Sequence, residues 1–246
     1  MIKFFRKTRY DLMENNKTGK YLKYAFGEIF LVMIGILLAL QVSNWNQNKS
    51  IKKQLKNYKT SLLSEIEKDL KELERIDSLN LFNTNEINEY FALYNSKNVD
   101  LDVLFSKKRN TNNSWQNFQS NIYSIDELIT SGNISFFSHK EKLAIITLKK
   151  QIELYTYYEK EALLRSENRW EKHDDLVDMA FQSGLTKTQN EHSKKLSSDI
   201  NSEYFRHFNN ALTAVLEYYE YQDYIYLVGI KPELINLKSI LLENIE

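Results

Sequence analysis

The sequence predicts an all-α protein in which an N-terminal transmembrane helix continues into a long amphipathic helix and then a membrane-tethered helical bundle. Three observations lead to this fold class. An apolar segment near the N-terminus is long enough to cross a bilayer as a helix. Apolar side chains recur at intervals of three and four along most of the remaining chain. The 246 residues include only six glycines and one proline, so few strong breakers interrupt helices.

Composition excludes several classes of function. The chain has 33 basic and 33 acidic residues, and this balance argues against a nucleic-acid binder, which needs a basic surplus to contact phosphates. Absence of cysteine excludes disulfides, thiolate catalysis and Cys-ligated metal. The balance is uneven along the chain, because residues 1–24 carry a net charge of +5 and residues 25–246 a net charge of −5.

Residues 1–21 are predicted to be a basic cytoplasmic segment. Apolar side chains alternate with basic ones in its first fourteen residues: Ile2, Phe4, Phe5, Leu12 and Met13. This pattern is compatible with a short helix on an anionic inner leaflet and with a disordered basic tail.

Residues 22–44 are predicted to form the transmembrane helix. Glu28 is the only charged residue from Ala25 to Val42, and aromatic residues flank the apolar run. The run is longer than the roughly 7–15 residues of a signal-peptide core, so we predict a retained anchor and not a cleaved signal peptide. Seven basic residues precede the apolar run that begins at Ala25, whereas five lysines follow the helix, which favours a cytoplasmic N-terminus and a periplasmic bulk in the inner membrane.

Four residues of this region are candidates for membrane or helix contacts. Glu28 lies about one turn inside the span, where it can meet the interfacial zone, a neighbouring helix or a proton or ion path; a single span cannot enclose the last of these. Gly35 and Ala39 are four residues apart, a spacing that lets two such helices approach closely and form a homo-oligomer. Trp45 is placed as an interfacial anchor.

Residues 45–246 are predicted to form a helical periplasmic domain. Its first helix carries an apolar stripe, and no glycine or proline separates it from the span: Ile51, Leu55, Tyr58, Leu62, Ile66, Leu70, Leu73 and Ile76, continuing through Leu79, Ile87, Phe91 and Tyr94. We predict a loop at about residues 96–122, most polar at residues 107–113. Its basic cluster is either solvated or binds an acidic group of a partner.

Two Ser-x-x-Glu patterns, at Ser124 and Ser138, predict capping boxes that begin two helices. The first helix should stop at Ser131–Asn133, where Gly132 can adopt the left-handed conformation. The second should be long, because no breaker precedes Gly184.

The rest of the domain is predicted to contain a polar connection and two further helices. The connection covers Ser183 to Asp199, and the helix after it ends near Gly229. Pro232 suits the first turn of the last helix.

Every candidate for chemistry has a structural alternative. A set of acidic and imidazole groups resembles a divalent-metal site but equally fits a solvated face: Glu171, His173, Asp174, Asp175 and Asp178. Glu203 and His207 are spaced for a helix-surface pair. Two groups of tyrosines form either a stacking groove for a sugar or peptide or the packed rim of the bundle: Tyr155, Tyr157 and Tyr158, then Tyr218, Tyr219, Tyr221, Tyr224 and Tyr226. No known catalytic spacing occurs, and we predict no catalytic, cofactor or metal residues.

Two motifs carry a resemblance to a known family. The stretch GEIFLVMIGILLALQVSNWNQN is followed by a long amphipathic helix and then by DELITSGNIS. Both motifs resemble those of an uncharacterised family of single-span inner-membrane proteins of Bacteroidota. The matching residues are Gly27, Glu28, Asn44, Trp45 and Asn46, then Glu127, Leu128, Ser131, Gly132 and Asn133. The resemblance is carried by the two ends of residues 20–140, and the C-terminal third shares only the helical pattern. It implies the topology and the envelope location and carries no established activity.

These observations predict a non-enzymatic scaffold or binding partner in the cell envelope. Its expected contacts are the lipid bilayer, a second copy through the transmembrane helix, and an envelope protein or polymer. Two alternatives remain: a ligand-sensing periplasmic domain that acts through a partner, and an envelope enzyme with an unrecognised helical active site.

Overall fold

The computed structural model describes residues 18–111 and 114–243, and within those ranges it is helical and has no strand, which confirms the all-α prediction. The helices are α1 (Thr18–Tyr94), α2 (Leu101–Asn110), α3 (Ser124–Thr130), α4 (His139–Asp174), α5 (Met179–Gln182), α6 (Glu191–Ser197), α7 (Glu203–Tyr224) and α8 (Lys231–Leu242). A 3₁₀ turn covers Asn133–Phe136, and a π-helix covers Ile225–Ile230. The surface helix considered for residues 1–14 lies outside the described residues.

The chain divides into two compact units, residues 1–57 and residues 58–246. Helix α1 belongs to both, since it runs for 77 residues without interruption, as predicted. In the first unit its apolar side chains are exposed, and an 18-residue window with mean hydropathy 2.2 has none of its residues buried. By length and composition this helix could cross a membrane.

In the second unit, α1 contributes a strict heptad stripe to the core of the bundle. Six of its buried positions are apolar: Leu62, Ile66, Leu73, Ile76, Ile87 and Tyr90. Four more positions of the same three-and-four spacing are buried and polar: Lys59, Asp69, Asn80 and Asn83. We call these ten residues the heptad stripe. The apolar pattern of the sequence located the helix correctly and missed its polar positions.

Helices α4, α7 and α8 complete the core. Helix α4 packs against α7, α8 and the π-helix, and α7 buries Phe205, Phe208, Leu212 and Val215. These side chains remove the largest apolar surfaces from water, which is the main favourable term in folding. Aromatic edges meet in the same core: the rings of Tyr90 and Phe208 are 5.1 Å apart in an edge-to-face arrangement.

The predicted loop at residues 96–122 contains helix α2, which corrects the prediction. Asp100 begins the helix, since its carboxylate accepts from the backbone N–H groups of Asp102 and Val103, and Leu104 is fully buried. The basic run Lys107 to Arg109 lies in the last turn, where cations complement the helix dipole. The polarity that suggested a loop is therefore that of a helix end. The polar connection after Ser183 likewise contains the short helix α6.

Only one of the two predicted capping boxes forms. At Ser138 both hydrogen bonds of the box are present, so this prediction is confirmed. Ser124 does not cap α3, because it is the first residue of that helix and its hydroxyl donates to Glu65 at 2.8 Å. Gly132 adopts the left-handed conformation after α3, with φ of 75°, as predicted.

The end of the chain is more continuous than predicted. Helix α7 passes through the π-helix into α8 without a break, and Gly229 lies within the π-helix. A Cβ atom at Gly229 would lie 2.1 Å from the Tyr155 ring, so glycine is needed here for close packing of α4 against the π-helix. Pro232 occupies the first turn of α8, as predicted.

Candidate functional site

The four predicted contact residues of the apolar region lie along α1, and the structure does not bring them together. Gly35, Ala39 and Trp45 are exposed, and Glu28 is partly buried. A Cβ atom on Gly35 would meet nothing within 4 Å, so its surface is open to a neighbouring helix. The Lys49 ammonium lies 5.5 Å from the centre of the Trp45 ring. Homo-oligomer formation through this helix stays a prediction.

The EL-x-x-SGN motif has a structural explanation in this chain. The Tyr58 hydroxyl donates to the Glu127 carboxylate at 2.9 Å, and the Asn133 amide donates to Tyr58 at 3.0 Å. The Ser131 hydroxyl donates to the Glu127 carbonyl at 2.6 Å, closing the end of α3. The motif thus fastens α3 and the following turn to α1, and no part of it forms a reactive group.

The predicted tyrosine groups divide between the core and the surface. Tyr218, Tyr219 and Tyr226 are buried, which agrees with the packing alternative for these three. Tyr157, Tyr158 and Tyr224 are exposed, and the rings of Tyr157 and Tyr158 contact each other at 5.5 Å.

Exposed tyrosines and aliphatic residues occur on α4 and on the adjoining end of α7 and the π-helix: Leu154, Tyr157, Tyr158, Tyr224, Leu227 and Val228. We call these six residues the aromatic face. The elements that carry it pack together, because Tyr155 of α4 lies against Gly229 of the π-helix. All six side chains are exposed in part, Tyr158 the least at 42% and Tyr224 the most at 63%. Exposed apolar patches of this kind mark interaction sites more often than single exposed residues do.

Below the surface, a polar network surrounds the buried carboxylate of Glu159. One of its oxygens accepts from the backbone N–H of Phe118 at 3.3 Å, from the Tyr218 hydroxyl at 3.2 Å and from the Gln222 amide at 2.6 Å. The Tyr226 hydroxyl donates to the same oxygen. Burial, followed by the nearby Glu159 charge, raises the pKa of both Tyr218 and Tyr226 above their ordinary value.

This network orients one further side chain. Since a carboxylate only accepts, the Gln222 amide nitrogen must face Glu159 and the Gln222 oxygen must face away. That oxygen accepts from Asn80 of the heptad stripe at 2.9 Å. Through these hydrogen bonds, Glu159 connects α1, α4, α7 and the residues before α3. The four donors occupy the Glu159 oxygen that they share, so a ligand could not bind that oxygen without displacing one of them. We interpret the network as structural.

A second buried cluster surrounds Lys108 of α2. Its ammonium donates to the Tyr204 hydroxyl at 2.5 Å and lies 3.2 Å from His173 Nε2. It is also 4.3 Å from the ring centres of both Tyr204 and Phe208, a cation–π arrangement. Because a lysine only donates, His173 Nε2 accepts, and Nδ1 carries the proton that is donated to Asp174 at 3.2 Å.

The electrostatics of this cluster lower the pKa of both bases. Burial lowers the pKa of Lys108 to about 8, against the smaller opposite effect of Asp174. Burial, together with Lys108 and His207, lowers the pKa of His173 to about 3. A lysine with a lowered pKa has a larger neutral fraction near physiological pH, and the neutral amine is the form that attacks carbonyl groups. Strongly perturbed groups in contact are a recognised sign of function, and they also occur in purely structural clusters.

The residues considered for metal binding serve other purposes. Among residues 18–111 and 114–243, no group of three or more His, Asp or Glu side chains is placed to hold a metal ion. His173 belongs to the Lys108 cluster, and Asp178 accepts from the backbone N–H of Phe181 at the start of α5. His207 contacts its neighbour Arg206 at 3.3 Å.

Sequence reasoning missed Lys108, Tyr204 and Glu159, the central residues of the two clusters. Lys108 was assigned to a polar loop, and Tyr204 lies just before the apolar stripe of α7. Glu159 looked like one more solvated charge of α4, although it is only 6% exposed. Its position between Tyr155 and Ala162, one turn from each along the buried side of α4, was the available signal.

Comparisons with known proteins add no assignment to this geometry. No protein-family model matches the chain, and neither a curated protein nor a solved structure matches it. The resemblance to the Bacteroidota family stays a prediction from the two motifs.

Proposed function

We propose that this protein is a single-pass, membrane-anchored helical module that acts as a non-enzymatic binding partner or scaffold in the cell envelope. The aromatic face carries this proposal. Six large side chains on packed elements are exposed to solvent, and Tyr is enriched where proteins bind one another. The apolar part of α1 supplies the anchor, with the inner membrane as its location and the bundle on the periplasmic side.

A photocrosslinking experiment in the native host tests the binding role. A photoreactive amino acid is placed at Tyr157 in the aromatic face or at Lys172, an exposed residue farther along α4. We expect discrete crosslinked products from position 157 and none of these from position 172 or from a control carrying only residues 1–60. A Leu154→Ser and Val228→Ser background should weaken the products at position 157.

The same experiment also shows how the proposal would fail. If position 157 gives no product beyond that of position 172, the aromatic face does not bind a protein. If the product is a second copy of this chain, identified by its peptides, the face is a self-association surface and the scaffold function needs another site.

One observation favours the enzyme alternative, and it is the Lys108 cluster. Lys108→Met should leave a binding module intact at the aromatic face, because the contacts of Lys108 are distant from it along both helices. His173 lies 15 residues after Tyr158 on α4, and Tyr204 lies 20 residues before Tyr224 on α7. If the purified full-length protein turns over an envelope substrate and Lys108→Met abolishes the turnover without loss of helicity, the enzyme reading replaces the proposal.

A further inference from the structure

A stretch of α1 just after the apolar run carries positive charge only. No Asp or Glu occurs between Glu28 and Glu65, whereas five lysines do: Lys49, Lys52, Lys53, Lys56 and Lys59. Lys59 belongs to the bundle, where its ammonium lies 2.6 Å from the Glu141 carboxylate. The other four are exposed.

Helical geometry places these four lysines on one side of α1. At about 100° per residue, Lys49, Lys52, Lys53 and Lys56 fall within an arc of about 100°. Trp45 falls in the same arc, and its ring lies under the Lys49 ammonium. Ile51 and Leu55, which are partly buried, point away from it. We call the four lysines the basic face.

The basic face begins at the outer edge of a lipid headgroup layer and extends beyond it. With a rise of about 1.5 Å per residue, Lys49 lies about 8 Å past Asn44, Lys53 about 14 Å past it and Lys56 about 18 Å past it. The headgroup zone extends roughly 5–8 Å beyond the hydrocarbon core on each side. Long lysine side chains bend toward a membrane surface, and charges interact over a Debye length of about 8–10 Å.

We propose that Lys49, Lys52, Lys53 and Lys56 form a binding face for the phosphate groups of anionic lipids in the leaflet on the C-terminal side of the span. The inference rests on the proposed membrane anchor. Charge complementarity selects the occupant: clustered lysines next to a span attract anionic headgroups, and the sequence between Glu28 and Glu65 contains no Asp or Glu. Trp45 fixes the depth of the helix, because indole prefers the interface.

The basic face also explains why the number of basic residues differs so little between the two sides of the span. Lysines that hold lipid phosphates are retained near the membrane surface after translocation, so their presence on the exported side does not contradict a cytoplasmic N-terminus. Basic residues on both sides of the span then have different tasks: those before it set orientation and those after it bind lipid.

The test uses the full chain in bilayer nanodiscs that contain equal amounts of phosphatidylglycerol and phosphatidylcholine. Native mass spectrometry counts the lipids that remain bound to the protein after it is released from the nanodisc. One variant replaces the basic face with glutamine (Lys49→Gln, Lys52→Gln, Lys53→Gln, Lys56→Gln). The matched control makes the same change at four exposed lysines elsewhere: Lys68, Lys71, Lys160 and Lys172.

We expect the original chain and the control to retain phosphatidylglycerol in preference to phosphatidylcholine, and the basic-face variant to lose several-fold of that preference. The basic N-terminal segment contributes equally to all three proteins. The preference should also decline at high salt, because it is electrostatic. Equal retention by the variant and the control would overturn the proposal.

Insertion is measured separately, by flotation of the chain with vesicles after alkaline washing. A chain that does not float contradicts the membrane anchor itself. A chain that floats but shows no difference between the two variants contradicts only the lipid-binding face.

Discussion

Ser138 and Ser124 share a sequence pattern, and the surrounding side chains give them different roles. The Ser138 hydroxyl accepts from the Glu141 N–H at 3.3 Å, and the Glu141 carboxylate accepts from the Ser138 N–H at 2.8 Å. We expect Ser138→Ala to lower the free energy of unfolding by about 0.5–2 kcal/mol, as loss of an N-cap does. Urea unfolding of the full chain in detergent, followed by tryptophan fluorescence, measures the change. Ser198→Ala, at an exposed serine, is the control, and an equal effect at both sites would contradict the capping role.

Such a cap is predictable because it involves four consecutive residues. Ser124 was predicted wrongly because its partner, Glu65, is 59 residues away and donor–acceptor pairs at that distance leave no local pattern. The same holds for Lys108, whose contacts lie on α4 and α7.

Lys108 gives the protein a pH dependence of stability that can be measured. Its pKa is about 8 in the folded state and about 10.4 when unfolded. Between these values the unfolded chain binds more protons, so the free energy of unfolding should rise with pH from about 8 to about 10. We expect this rise in the original chain and its absence in Lys108→Met, measured by urea unfolding across the pH range.

The neighbouring residue supplies the control for this measurement. Burial alone would lower the pKa of Lys107, but hydrogen bonds to Glu89 and Glu86 raise it above the ordinary value. Its stabilising contribution is therefore constant until the pH exceeds about 10.4, and Lys107→Met should keep the rise seen in the original chain. A rise that survives in Lys108→Met would show that another group titrates in this range.

At the scale of elements, the positions of the long helices were predictable from the sequence, and the segments that connect them were not. Periodic apolar residues located α1, α4, α7 and α8, since burial of one helical side leaves that period in the sequence. Helix α2 was missed because its single fully buried side chain, Leu104, is too little apolar signal against the basic residues that follow. The π-helix was missed as well. Its Gly229 lies against Tyr155 of α4, and a contact between residues so far apart in the sequence leaves no local pattern.

That contact yields a prediction about Gly229. We expect Gly229→Ala to lower the free energy of unfolding by about 1–3 kcal/mol, because the added methyl group would overlap the Tyr155 ring. In a Tyr155→Ala background the same change should cost much less. Unfolding of the four proteins of this double-mutant cycle gives the coupling, with the exposed neighbour Val228→Ala as the control. Additive effects would mean that the glycine is needed for another reason.

For the whole molecule, the sequence predicted the class and the anchor but left orientation open. A chain without native cysteine allows single thiols to report it. Ser120, one natural choice, is unsuitable because its hydroxyl donates to Asp69 at 2.6 Å. We expect a cysteine at the exposed Gln119 to react with a membrane-impermeant maleimide in cells, and a cysteine at Thr8 to react only after lysis, because positive charge is retained on the cytoplasmic side. If only the Thr8 variant were labelled in intact cells, the topology would be the opposite of the one proposed.

The candidate site of the whole molecule could be predicted only in part. The exposed tyrosines were noticed in the sequence, yet which of them face solvent depends on how α4 and α7 are rotated against each other. The aromatic face is therefore a property of the assembled bundle. The basic face, by contrast, needs only one helix and could have been found from spacing alone.

The polar members of the heptad stripe have a consequence for synthesis. Helix α1 is translated first, whereas Gln222 and Tyr219, which contact Asn80 and Asn83, follow 142 and 136 residues later. At about 5–20 residues per second, the ribosome needs roughly 7–30 seconds to deliver those partners. During that interval an entirely apolar stripe on α1 would be exposed and could aggregate with other nascent chains. The stripe is divided into short apolar segments by its four polar members, Lys59, Asp69, Asn80 and Asn83. We therefore expect this part of α1 to stay soluble until the residues that pack against it have been translated.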